Sequence, residues 1–215
     1  TPHASIAQTP DGYVLRDEGS KTGTFLKLQP GERTEMSSGM LLQVGRQFLV
    51  FGHSNGQPHV VQYDETGQQV ERVELSEGSV ILGREAPDVI LDSDDKLLSR
   101  RHLALEVDED GTMTAQDLDS RNGSFVRVRE GIPIEDGDVF RVGQQRFRLS
   151  QEVVTPSTST IFPVDVAKMG AEEDTETSEE EAAPSEEAST EPSVTVQPDG
   201  KTLPIEEGQT VLEAI

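Results

Sequence analysis

Gly83-Arg84, Ser99-Arg100-Arg101-His102 and Asp117-Leu118-Asp119-Ser120-Arg121-Asn122-Gly123-Ser124-Phe125 are three polar clusters separated by apolar runs. Each stands where a β-type run ends, so in a sheet fold all three fall in loops. Arginine brings forked N–H donors, serine a hydroxyl, and loop backbone further uncharged donors. Loops of this composition, brought together, suit a multivalent anion, and phosphate suits them best.

Working outward, the runs around these clusters are short and punctuated by turn residues. They include His59-Val60-Val61-Gln62-Tyr63, Val70 to Leu75, Ser79-Val80-Ile81-Leu82, Leu103 to Val107, Met113-Thr114-Ala115, Phe125-Val126-Arg127-Val128, Asp138 to Val142 and Arg146-Phe147-Arg148-Leu149. Side chains alternate, as where Arg127 and Arg129 interleave with Val126 and Val128, which gives a strand one wet and one dry face. No helical period interrupts the pattern. The expectation is an all-β sandwich of two antiparallel sheets within one domain of ordinary size.

An internal repeat extends this reading to the N-terminal third. His3-Ala4-Ser5-Ile6 lies over His102-Leu103-Ala104-Leu105, Gly19 to Phe25 over Asp119 to Phe125, and Val44-Gly45 over Val142-Gly143. The offset is 98 to 100 residues (Gly45 to Gly143, Gly23 to Gly123). Residues 1–53 thus read as the second half of one module and 54–151 as a complete copy. In the first copy Thr22 replaces Asn122, Lys21 stands at Arg121 and Thr1 at Arg100, so that copy is expected to be degenerate and structural.

The three clusters, with the closing Gly137-Asp138-Val139-Phe140-Arg141-Val142-Gly143, resemble a forkhead-associated (FHA) domain over roughly residues 56–151. The resemblance implies tandem copies of an eleven-stranded sandwich whose apical loops bind phosphothreonine peptides. It implies that Arg84, Ser99 and Arg100 hold the phosphate and that Asn122 bonds the peptide backbone. Arg121 would add a phosphate contact or bind an acidic peptide residue, while Gly83, His102 and Gly123 shape the loops. The partner is then a phosphothreonine protein, with a Ser/Thr kinase upstream. No Cys nucleophile, Ser-His pairing or carboxylate pair suggests catalysis, so an enzyme is not expected. Asp92, Asp94 and Asp95 lack the Gly and distal Glu of a Ca²⁺ loop and read as a solvated loop.

Net charge sharpens the partner class. The chain carries 41 acids and 18 bases, a net of −23. Residues 1–150 account for −9, 151–192 for −11 and 193–215 for −3. Such a chain repels nucleic acid and anionic membranes, so neither is an expected partner. There is no cysteine, long apolar span or basic-apolar leader, and a cytoplasmic setting is expected, with the chain a piece of a longer protein.

Residues 152–192, rich in Glu, Ser, Thr, Pro and Ala, are expected to form a disordered acidic linker. Its threonines, Thr175 and Thr177 among them, make it a candidate ligand in cis once phosphorylated. Residues 193–215 contain a hairpin pattern, Val194-Thr195-Val196 with Lys201 to Ile205, then a helix start with Thr210 as N-cap. This segment is similar to the start of a plant-type 2Fe-2S ferredoxin, a β-grasp fold. The resemblance implies a cluster only in a longer protein and no cofactor in this chain, because cluster cysteines would lie beyond Ile215. It also implies an alternative function: the regulatory front end of an iron–sulfur electron-transfer protein or a nucleotide cyclase.

Overall fold

A computed structural model describes residues 2–153, 190–197, 201–204 and 209–212. Most of the acidic stretch 152–192 lies outside them. The described residues form strands and no helix. In the first repeat these are β1 (Ala4–Thr9), β2 (Gly12–Asp17), β3 (Thr24–Lys27), β4 (Arg33–Glu35), β5 (Leu41–Val44) and β6 (Gln47–Ser54). The second repeat begins with β7 (Gln57–Tyr63), β8 (Gln69–Glu74), β9 (Gly78–Gly83) and β10 (Val89–Ile90). It continues with β11 (Leu103–Val107), β12 (Met113–Asp117), β13 (Ser124–Val128), β14 (Ile132–Ile134), β15 (Val139–Val142) and β16 (Gln145–Val153). Strands β17 (Thr190–Gln197), β18 (Lys201–Pro204) and β19 (Gln209–Leu212) follow.

These strands make a ten-stranded sheet in the order β18-β17-β16-β15-β3-β13-β5-β6-β7-β8, a five-stranded sheet β10-β9-β11-β12-β4, and a four-stranded sheet β14-β2-β1-β19. The all-β, sheet-on-sheet expectation holds. Alternation puts the dry faces together: Leu42 and Val44 of β5 and Leu103, Leu105 and Val107 of β11 are all buried.

The two repeats exchange strands. At the centre of the long sheet β3 and β13, equivalent strands of the two copies, pair antiparallel with Leu26 opposite Val126, Phe25 opposite Arg127 and Lys27 opposite Phe125. Beyond them the pairing is reciprocal. Strand β5 of the first copy lies on β13 of the second, Gln43 opposite Phe125. Its counterpart β15 lies on β3, Arg141 opposite Phe25. The sequence repeat has become a pseudo-two-fold axis through Leu26 and Val126.

A turn enforces this exchange. Strands β6 and β7 are joined only by Asn55-Gly56, with Ser54 opposite Gln57, and both turn residues have positive φ, 53° and 80°. A two-residue turn of this kind fits only a tight antiparallel hairpin. The last strand of the first repeat is therefore bound to the first strand of the second. Packing follows suit, with one core built from Leu28, Met36, Leu42, Leu49 and Phe51 together with Val60, Leu82, Leu105 and Val126. The other joins Ala4, Ile6 and Leu15 to Val128, Phe140, Phe147 and Leu149. Leu26 and Ile132 pack against both. The division at residue 53 is a division of sequence; the sandwiches are assembled across it.

At the C-terminal end, β17 and β18 form the expected hairpin, Val194 opposite Leu203, and extend the sheet at β16. The helix expected from Thr210 does not form among the described residues: residues 209–212 are a strand on β1, with Thr210 opposite Ile6 and Val211 opposite Ser5. A β-branched Thr-Val pair beside an open strand edge satisfies its backbone groups by joining the sheet.

Candidate functional site

The close approach of Gly83 to the loop after β10 starts the site. A Cβ on Gly83 would clash with the backbone carbonyl of Arg100 and lie 2.9 Å from that of Ser99. With glycine there, two ladder-like bonds form: Arg84 N–H donates to Ser99 O (3.0 Å) and Glu85 N–H to Arg100 O (3.1 Å). These bonds set Arg84 against Ser99 and Arg100, although fourteen residues of chain separate Arg84 from Ser99.

His102 fixes the same loop from below. Its ring is fully buried; Nδ1 accepts the Ser99 N–H at 3.0 Å, and Nε2 faces the Gly123 carbonyl at 3.4 Å. Burial lowers the pKa of the imidazole below its ordinary value, against the opposing pull of Asp117 and the Gly123 carbonyl. It is therefore a neutral strut between two of the three clusters.

The third cluster is folded on Asp117. The buried carboxylate accepts the Ser120 N–H (2.8 Å) and the hydroxyls of Ser120 (2.8 Å) and Ser124 (2.7 Å), while Ser120 Oγ accepts the Gly123 N–H (3.0 Å). The compact loop presents the Arg121 N–H to Ser99 Oγ at 3.0 Å and the Asn122 Nδ2 to Leu97 O at 2.9 Å. Because Ser99 Oγ is an acceptor in this contact, its own proton remains available to a ligand.

The loops enclose a cleft of about 630 Å³ lined by Arg84, Lys96, Leu98, Ser99, Arg100, Arg101 and Arg121. Among the described residues five cations and a hydroxyl converge there, and no carboxylate joins the lining. Among the described residues Arg84 Nε is buried without a hydrogen-bond partner, and its Nη2 stands 3.6 Å from Glu85. A buried unpaired donor is costly unless a ligand satisfies it. Of the residues singled out in the sequence, Arg84, Ser99, Arg100 and Arg121 line the cleft. Asn122 does not; its side chain is tied to Leu97 O, and Gly83, His102 and Gly123 also stand outside the lining.

Lys96 and Arg101 also line the cleft; Arg101 stands within the Ser99–His102 cluster without a role of its own in the sequence reading, and Lys96 comes from a loop dominated by acids. Asp95, expected to be solvated, is instead 2% exposed. Its Oδ2 accepts the Arg46 N–H at 2.7 Å and its Oδ1 the Leu97 N–H at 2.9 Å. Gly45, with φ of +62°, leaves room for it; a Cβ there would stand 2.5 Å from Asp95 Oδ2. A turn of the first repeat thus anchors the loop that carries Lys96 and Ser99.

The family model of the FHA domain matches residues 2–45 and 80–143, half of the chain. The chain belongs to the FHA domain family. FHA domains are non-catalytic signalling modules that bind phosphothreonine-containing proteins, and the matched residues fall in both repeats. No curated protein and no solved structure matches the chain. The first FHA repeat keeps the same loop scaffold: Asp17 Oδ1 accepts the Ser20 N–H (3.1 Å), Ser20 Oγ the Gly23 N–H (3.0 Å), and His3 Nε2 faces Gly23 O (3.2 Å). Lys21 and Thr22 stand on it where Arg121 and Asn122 stand in the second.

Proposed function

We propose that this chain is a phosphothreonine-peptide-binding signalling adaptor whose working site is the Arg84–Ser99–Arg121 cleft. The observation that carries the reading is five convergent cations around a free hydroxyl proton, with the orphaned Nε of Arg84 beneath them, in a chain of net charge −23. Arg84 and Arg100 take the phosphate oxygens through charge-assisted bonds, and the Ser99 hydroxyl donates a third. Lys96 and Arg101 add charge at the mouth. Arg121 meets the phosphate or an acidic peptide side chain, and Asn122, released from Leu97, takes the peptide backbone. The partner is a phosphothreonine protein, or the chain's own linker once a Ser/Thr kinase has modified it. The scaffold of the first repeat shapes a loop without this charge and serves assembly.

The test is an oriented phosphothreonine peptide array on the whole chain, followed by calorimetry of the best peptide. A dissociation constant of roughly micromolar, about −8 kcal/mol, is expected. Retention of unphosphorylated peptides with equal strength would remove the reading.

A second reading rests on the sequence pattern of residues 193–215, of which the hairpin half forms as β17–β18 while residues 209–212 form a strand on β1. In that reading the FHA unit is the sensory front of an iron–sulfur or nucleotide cyclase protein whose output domain lies after Ile215. With no cysteine, these residues cannot themselves hold a cluster. Spaced cysteines or a catalytic domain in the sequence after Ile215 would favour it.

A further inference from the structure

The outer face of the ten-stranded sheet carries a second cationic surface that shares no lining residue with the cleft. Across neighbouring strands Arg146 lies opposite Arg141, Arg141 opposite Phe25, and Phe25 opposite Arg127. The Arg141 guanidinium stands 4.7 Å from the centroid of Phe25 and 5.4 Å from that of Phe125. Beside this row is a groove of about 430 Å³, with walls that include Leu41, Phe48, Val50 and Tyr63 as well as Arg127 and Arg141.

The charge of this row is not balanced within the sheet. Arg141 donates to Gln43 Oε1, a neutral partner; like charges directly opposite in a sheet repel, and burial and Arg146 both push the pKa of Arg141 down. Among the described residues no carboxylate pairs with Arg127, Arg141 or Arg146, in a chain where acids outnumber bases 41 to 18. Unneutralised guanidiniums held over aromatic rings beside an apolar groove make a surface for an acidic peptide.

One acidic peptide is tethered next to it. Residues 172–187 carry nine carboxylates and no base. They lie in the stretch between Val153 and Thr190, residues that pair across β16 and β17; β16 is the strand that carries Arg146. From Val153 back to Arg146 is about 23 Å of strand. Residues 154–189, going out and back, reach about 60 Å when extended. Tethering at this range gives an effective concentration on the order of millimolar, so weak binding suffices.

We propose that the acidic stretch 172–187 docks on the Arg127–Arg141–Arg146 face of the sheet. Its carboxylates neutralise the three guanidiniums, and the groove takes the small apolar residues between them. The docking needs no phosphate and is independent of the cleft.

The test compares amide NMR spectra of the unphosphorylated chain with those of a variant whose nine carboxylates in 172–187 are changed to Gln or Asn. Different shifts at Phe25, Arg127 and Arg141 are expected, vanishing toward 0.5 M salt as screening grows (~4 Å Debye length). A synthetic 172–187 peptide added to the neutralised chain should restore them. Arg127→Gln with Arg146→Gln should remove the effect, whereas Arg84→Ala should leave it. Arg146 is exposed, so Arg146→Gln alone keeps the test open should the double variant not fold. Identical spectra would overturn the proposal. So would peptide shifts centred on Arg84 and Ser99, or shifts that grow with protein concentration, which would make a second copy the occupant.

Discussion

Asp95→Asn removes one oxygen and tests whether the first repeat holds the site of the second. The native carboxylate accepts two backbone N–H groups, from Arg46 at 2.7 Å and Leu97 at 2.9 Å, in a position 2% exposed. Asparagine can keep one of these bonds; its NH₂ must then face the other N–H donor. A buried donor left unsatisfied costs about 1–3 kcal/mol, and the bond to a charged acceptor is itself worth roughly 1.5–3 kcal/mol. The variant should therefore be less stable by about 2–3 kcal/mol in urea denaturation. Released from Arg46, the loop carrying Lys96 and Ser99 should hold a phosphothreonine peptide less well, by about tenfold for each 1.4 kcal/mol of lost order. Gly45→Ala, which presses a methyl into the same carboxylate at a φ of +62°, should act in the same direction. A variant Asp95→Asn as stable as the parent, with the same peptide affinity, would refute the linkage.

Gly83→Ala should lower stability by about 1–3 kcal/mol, the usual range for overpacking, and weaken peptide binding, because the new Cβ meets the Ser99–Arg100 backbone rather than a side chain that can turn away; urea denaturation and peptide titration check the two losses. Burial of neutral His102 sets a pH limit. The unfolded chain takes up a proton near the ordinary value of 6.5 while the folded ring, with its lowered pKa, does not. Its contribution is intact above about pH 6.5 and is lost as pH falls from there toward the folded pKa, at up to about 1.4 kcal/mol per unit. His102→Gln should flatten that slope in denaturation series between pH 7 and 5. Peptide binding should weaken below about pH 6 for a separate reason, since the phosphate then loses its second charge; a titration series in which affinity is constant from pH 7.5 to 5 would contradict a dianion in the cleft.

The sandwich was legible because its signals are local. Alternation in Val126-Arg127-Val128, glycines at turns and the three polar clusters each report on a strand or loop by themselves. The repeat was legible too, from His3 over His102 and Gly23 over Gly123. How the repeats share strands was not legible from similarity alone, since equivalent strands fit either partner; β5 and β15 pair in the same register on opposite copies. The signal that decides it is the Asn55-Gly56 turn, too short for anything but a hairpin. Lys96 was hidden in an acidic run, and the burial of Asp95 depends on a glycine 50 residues away. The strand at Gln209–Leu212 was missed because Thr210 is a good helix cap and the edge of β1 that captures it is not visible in sequence.

The central claim rests on Arg84, and isothermal calorimetry with matched peptides tests it most directly. The chain should bind the phosphothreonine peptide at roughly micromolar affinity and its unphosphorylated twin at least about a hundredfold more weakly, a gap of about 2.7 kcal/mol. Arg84→Ala, with unchanged denaturation, should erase that gap. Equal binding of the two peptides by the parent chain, or an Arg84→Ala chain that still discriminates between them, would contradict the account.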